Sequence, residues 1–199
     1  MKKFTLLLTI ICIMFITGCT MVRIDTGNID NIVNVVLSKE NVLYNHIGKG
    51  YKYYIPRGVT YIDTIEFNDK LYSNGNYYYL YIDAISYYYQ KEIKHSKSSD
   101  SYYYKDININ NKGGYIDIQQ VEDKYLIDFM YNYAHVQSLV KKEDINEVIL
   151  NSSYILSTVK FNNKVIRIML NEDYFKYKEE KFQLFEEEKK NDNFLEYNG

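Results

Sequence analysis

Three histidines, a set of aspartates that follow tyrosines, and two cysteines are the groups of this 199-residue chain whose chemistry goes beyond packing. His46, His95 and His135 stand singly and far apart. The chain has no His-Glu-x-x-His and no paired histidine spacing that would seat zinc on one helix face. Gly-x-Ser-x-Gly, the phosphate-binding Gly-rich loop and Gly-x-Gly-x-x-Gly are also missing from it. The aspartates recur in Tyr61-Ile62-Asp63, Tyr81-Ile82-Asp83, Tyr115-Ile116-Asp117 and the longer Tyr125-Leu126-Ile127-Asp128. Strand alternation puts the Tyr and Asp of a triplet on one face and the Ile on the other. Carboxylates directly opposite on neighbouring strands repel, so any two of Asp63, Asp83, Asp117 and Asp128 that meet need a lysine or a cation between them. Calcium would call for a compact Asp-x-Asp-x-Asp-Gly loop, which the sequence lacks, and surface lysines are the expected partners. No catalytic residue, metal ligand or cofactor is assigned. Tyr54-Ile55-Pro56-Arg57-Gly58 holds the one proline, which cannot donate to a ladder and so ends a strand, beside an arginine suited to a carboxylate or phosphate.

The cysteines have a different meaning. Lys2 and Lys3 precede an apolar run over residues 4–16, then the small pair Thr17-Gly18, then Cys19. A spanning helix needs about 20 apolar residues, and this run is shorter and gives way to a polar segment. A basic start, a short apolar stretch and a small-residue site form a secretory signal. Ile16-Thr17-Gly18-Cys19 resembles the bacterial lipobox. The resemblance, to lipoproteins of low-GC Gram-positive bacteria, implies a signal peptide over residues 1–18 and a thioether-linked diacylglycerol on Cys19. It also implies a lipid anchor in the cell membrane on the extracytoplasmic side. Two acyl chains at about 0.8 kcal/mol per buried methylene anchor stably, where one holds only marginally. Cys12 would leave with the signal and Cys19 would carry lipid, so the mature domain has no thiol for disulfides, catalysis or zinc.

Loss of Lys2 and Lys3 moves the formal charge from -2 to -4, and Lys and Arg form no run. Nucleic-acid binding and electrostatic adhesion to anionic lipid both need a basic footprint, so neither is expected. The 24 tyrosines stand out against no tryptophan and one proline, although Tyr, Asn, Ile and Lys share A/T-rich codons and so rise together.

The elements that must position these groups follow from periodicity. After a tether over residues 19–27, Asn28 caps a helix running to about residue 47, broken at Ser38 and closed by Gly48-Lys49-Gly50. Strands are expected at 51–55, 59–66, 77–89, 102–109, 115–120 and 124–136. Asn74-Gly75 supplies a tight hairpin, and residues 92–100 a polar loop. A short helix beginning at residue 143, strands at 154–161 and 164–170 around an Asn162-Asn163 hairpin, a helix from Asn171 to 190 and a frayed tail at 191–199 complete the chain. This predicts one α+β domain over residues 28–190, an antiparallel β-meander with N-terminal, middle and C-terminal helices packed on it. The element order resembles the type III secretion chaperone-like fold, with the strands between 102 and 136 as departures from it.

A sheet buried through Leu80, Ile82 and Ala84 displays Tyr77, Tyr79, Tyr81 and Asp83 on its opposite side, a candidate binding face. The expected function is a membrane-anchored binding or assembly module whose partner is an envelope protein or a glycan. A cell-envelope hydrolase or a purely structural envelope protein is the alternative. The lipobox reading is checked with Cys19→Ala, which removes the sulfur that accepts lipid. Radiolabelled palmitate should label the parent chain and not the variant, which should persist as an uncleaved precursor; label entering the variant would exclude the lipobox.

Overall fold

A computed structural model of the chain describes residues 23–65 and 68–171. The expected signal segment, Cys19, the expected helix beyond residue 171 and the expected tail lie outside the described residues. Helix α1, Ile29–Leu37, starts at Asn28, whose side chain accepts the Asn31 amide at 3.0 Å, and turns Ile32, Val33, Val36 and Leu37 inward. The helix stops at Ser38 and does not resume, because Asn110 Nδ2 donates to the carbonyl of Leu37 at 3.0 Å and occupies its last turn.

The chain then makes β1, His46–Ile47, turns through Gly50 at a φ of 84°, and makes β2, Tyr51–Tyr53. Five of the seven strands of the main sheet continue the expected meander. These are β3, Thr60–Ile65, and β5, Asn76–Ile82, followed after helix α2, Ala84–Tyr88, by β6, Ser101–Ile109, β7, Lys112–Val121, and β8, Lys124–Tyr131. The other two, β4, Asn68–Ser73, and β9, Ala134–Val140, stand where no separate strand was expected. All pairings are antiparallel and the order is β3-β4-β5-β9-β8-β7-β6. Two of the tight turns carry positive φ at both central residues, 47° and 85° at Asn74-Gly75 and 54° and 57° at Asn110-Asn111, as a two-residue hairpin requires. The edge strands β3 and β6 each contain a bulge, between Tyr61 and Asp63 and between Ser101 and Tyr103.

The architecture is α+β, as the periodicity predicts, with corrections. Strand β5 ends at Ile82, where Asp83 leaves the ladder to cap α2. Strand β4 is hidden in the sequence because its inward positions are Asp69, Leu71 and Ser73, only one of them apolar. The expected strand over 124–136 is two, β8 and β9, broken by positive φ at Asn132 and Tyr133. The expected strand over 154–161 is the C-terminal part of a long helix. After a 3-10 turn, Lys142–Asp144, helix α3 runs Ile145–Thr158. Ile145, Val148, Ile149, Ser152, Ile155 and Leu156 follow a helical stripe, whose central serine concealed it. Asn162 does not turn a hairpin. Its side chain accepts the amides of Lys164 and Val165, at 3.2 and 3.3 Å, and starts α4, Asn163–Asn171, after the two-residue strand β10, Lys160–Phe161. Asn171 therefore lies within a helix that begins at Asn163, instead of capping the start of one. The two strands behind the chaperone-like order are absent, and that resemblance falls with them.

One layer of helix covers one face of the sheet. Helix α3 lies across β8 and β9, and α1 packs on α3, where its Asp30 and Asn34 accept from Lys105 of β6 at 2.5 and 3.2 Å. The core between them is Ile116, Ile118, Ile127, Phe129, Val136, Leu80 and their neighbours. Each such side chain contributes about 1.5 to 3 kcal/mol when fully buried. No helix among the described residues is long and apolar enough to cross a membrane.

Beside this core, a buried carboxylate ties the small sheet β1-β2-β10 to the large one. Asp69, fully buried, accepts the hydroxyls of Tyr51 and Tyr53, both at 2.9 Å, and of Thr64 at 2.5 Å, while His46 Nε2 stands 3.6 Å away. Burial, with Asp69 next to them, pushes both tyrosine hydroxyls far above their usual range, so they stay protonated and donate. An amide at position 69 keeps the shape, removes the charge and turns a donor toward the hydroxyls. Asp69→Asn should therefore lower the unfolding free energy by about 3 kcal/mol in urea melts, against about 1 for Tyr53→Phe.

Candidate functional site

The face of the sheet away from α1 and α3 gathers the polar and aromatic residues. Strand β5 sends Tyr78, Leu80 and Ile82 into the core and Tyr77, Tyr79 and Tyr81 to this outer face, as its alternation predicts. Tyr77 is 45% exposed, Tyr79 and Tyr81 are half-buried, and burial together with Asp83 raises the Tyr81 hydroxyl to about 12. Asp83 is not part of the face: its carboxylate accepts the Ser86 amide at 2.9 Å and caps α2. Register places Tyr72 of β4 opposite Tyr77, Lys70 opposite Tyr79 and Asn68 opposite Tyr81. The rings of Tyr72, Tyr77 and Tyr79 follow one another at 5.2 and 6.5 Å, and Lys70 Nζ stands 4.5 Å from the centre of Tyr77.

Further across the same face lies a group that the sequence names residue by residue but does not bring together. The turn at 122–123 pairs Asp117 of β7 directly with Asp128 of β8. Two carboxylates meet, and histidines and hydroxyls, not the expected lysine, relieve them. Asp117, fully buried, accepts Ser101 Oγ at 2.5 Å and Gln119 Nε2 at 3.0 Å, with His95 Nε2 at 3.2 Å. Asp128 is paired with His135 of β9 and receives the Tyr115 hydroxyl at 3.4 Å. Tyr115 joins the halves, since the His95 ring lies on it at 3.8 Å and 6°. Burial, then Asp128, pushes the Tyr115 hydroxyl well above the usual range and keeps it a donor. Asp63, the remaining aspartate of the set, sits on exposed β3 opposite Lys70.

His95 reaches this place through residues 89–100, which run over the outer face as a strap. Its path is fixed by the Tyr133 hydroxyl donating to the carbonyl of Lys91 at 2.8 Å, by Ile93 over Gly113, and by His95 on Tyr115. Ser101 donates to the carboxylate of Asp117 and not to a histidine, so the cluster does not have the form of a Ser–His pair. The arrangement holds the strap down. Histidine 46 belongs to the buried Asp69 group instead.

Two amide oxygens on the face are left over. Asn68 Oδ1 and Gln137 Oε1 are buried without a hydrogen-bond partner among the described residues, and they stand on either side of β5, opposite Tyr81 and Tyr79. Gln137 is only 9% exposed. A buried acceptor without a donor costs about 1 to 3 kcal/mol, and a ligand that brings donors recovers it. The signal for these two was absent from the sequence because Gln137 reaches Tyr79 only through the long-range β5–β9 pairing.

The chain matches no family model, no curated protein and no solved structure. If His95 clamps the strap, His95→Ala should free it. Trypsin should then cut after Lys91, Lys94 or Lys97 several-fold faster than in the parent chain. The sheet itself should lose only about 1 kcal/mol in thermal melts, the value of one stacked pair.

Proposed function

We propose that this chain is a lipid-anchored binding module of the cell envelope, held to the outer side of the cytoplasmic membrane through Cys19, and that it takes a glycan on the outer face of its sheet. The observation that carries the reading is the coincidence of an exposed tyrosine row with two buried, unpartnered acceptors. Tyr72 and Tyr77 are 36% and 45% exposed and continue into Tyr79, while Gln137 Oε1 stands opposite Tyr79 and Asn68 Oδ1 opposite Tyr81, further along the same row. A sugar ring presents an apolar C–H face that lies on a tyrosine and a rim of hydroxyls that donate to amide oxygens. Lys70 above Tyr77 adds a donor for hydroxyl or carboxylate oxygens. Tyrosines held in a ladder are ordered before any ligand arrives, so little rotamer freedom is lost on binding.

The lipobox supports the location, and the short tether over residues 19–27, at about 3.5 Å per extended residue, keeps the face within a few tens of ångströms of the membrane. Tyr72→Ser combined with Tyr77→Ser tests the site, because both side chains are exposed and each should cost under about 0.5 kcal/mol in stability. Retention on isolated envelope glycan should weaken about tenfold, equivalent to about 1.4 kcal/mol. Gln137→Leu should weaken it similarly without lowering the melting temperature. Unchanged retention by folded variants would exclude the glycan, and a large loss of stability would assign the rings to the core.

A further inference from the structure

Four lysines that are scattered in the sequence meet in space. Lys49, Lys52, Lys160 and Lys164 rim a cleft of about 810 Å³ between the small sheet and the start of α4, and no carboxylate is among its described lining residues. Lys52 Nζ rests 3.7 Å over the ring of Tyr44, and Lys52, Lys160 and Lys164 form no ion pair among the described residues. The cleft opens beside an unusually apolar surface segment: Val42 is 72% exposed, Leu43 56%, Tyr44 49% and Ile47 71%, and Tyr44 and Ile47 themselves line the cleft. Exposed aliphatic and aromatic side chains in consecutive positions, ringed by lysines in a chain whose net charge is negative, do not fit an ordinary solvated surface.

We infer that this rim is a docking surface for an anionic lipid bilayer, with residues 42–47 entering the headgroup boundary and the lysines meeting lipid phosphates. Charge complementarity selects the partner. Lysines reach headgroups while their stems lie along apolar surface, tyrosine favours the interface, and aliphatic side chains gain by leaving water. The basic footprint that the sequence lacks as a run is assembled by folding, and that reverses the expectation of no electrostatic adhesion to lipid. The inference stands apart from the glycan reading, which concerns the outer face of the large sheet.

The chain contains no tryptophan, so Tyr44→Trp introduces a single reporter that keeps a ring beneath Lys52. The full chain carrying it, as purified from envelopes, is added to vesicles of phosphatidylcholine alone and of phosphatidylcholine with phosphatidylglycerol. Emission should shift to shorter wavelength only with the anionic lipid and return in high salt, which screens the lysines. Lys160→Glu with Lys164→Glu should lose the shift, and circular dichroism should show the fold intact. Should that pair not fold, Lys160→Gln with Lys164→Gln takes its place. Equal emission in both vesicles, a shift indifferent to salt, or a shift retained by a folded lysine variant would overturn the inference. So would the same shift produced by soluble polyphosphate without vesicles, which would reassign the surface to a dissolved polyanion.

Discussion

The pairing of β5 with β9 governs this molecule. Every other neighbouring pair in the seven-stranded sheet is consecutive in the chain. Strand β9 joins the two runs, and strict alternation of direction from β5 through β9, β8 and β7 leaves β5 and β6 pointing the same way. A chain leaving β5 must therefore travel back the full length of the sheet before β6 begins. The inner face is taken by α1 and α3, so residues 89–100 pass over the outer one. His95 arrives on Tyr115 and Asp117 as a result of that route. Gln137 faces Tyr79 for the same reason. One non-local ladder thus positions the strap, the aspartate cluster and the tyrosine row together.

What the sequence discloses and what it hides divide along this line. The turn residues Asn74-Gly75, the alternation in β5 and the cap at Asn28 are local signals with local causes, and each is found as expected. Strand β4 is silent because it buries an aspartate and a serine where alternation calls for apolar residues. Helix α3 is rich in β-branched residues and serines, and its tertiary burial overrides their preference. Two of its serines close hydrogen bonds onto the helix itself, Ser153 to the carbonyl of Ile149 at 2.7 Å and Ser157 to that of Tyr154 at 3.0 Å. The Tyr and Asp of 115–117 were legible as one face. The meeting of Asp117 and Asp128 was implied by the two strands and the turn at 122–123, but the histidines that relieve them come from a loop and from β9.

Negative charge inside the domain is handled by one device used twice. Asp69 and Asp117 are both fully buried, and each is surrounded by neutral donors and one histidine instead of by lysine or arginine. Hydroxyl and amide donors stabilise a buried carboxylate without bringing in a second ion that must also be stripped of water. The abundance of tyrosine has a structural use here, since Tyr51 and Tyr53 combine ring burial with a donor at the ring's end. The lysines are thereby left for the surface.

The bulges in β3 and β6 bear on how copies of the domain would meet at high concentration. An open sheet ends in two rows of unpaired amides and carbonyls, each a template for a strand of the next molecule. Here both rims are interrupted, one between Tyr61 and Asp63 and the other between Ser101 and Tyr103, so neither offers an even run to copy. Copies crowded side by side, with their rims free to collide, would meet at irregular edges that do not zip into a shared sheet.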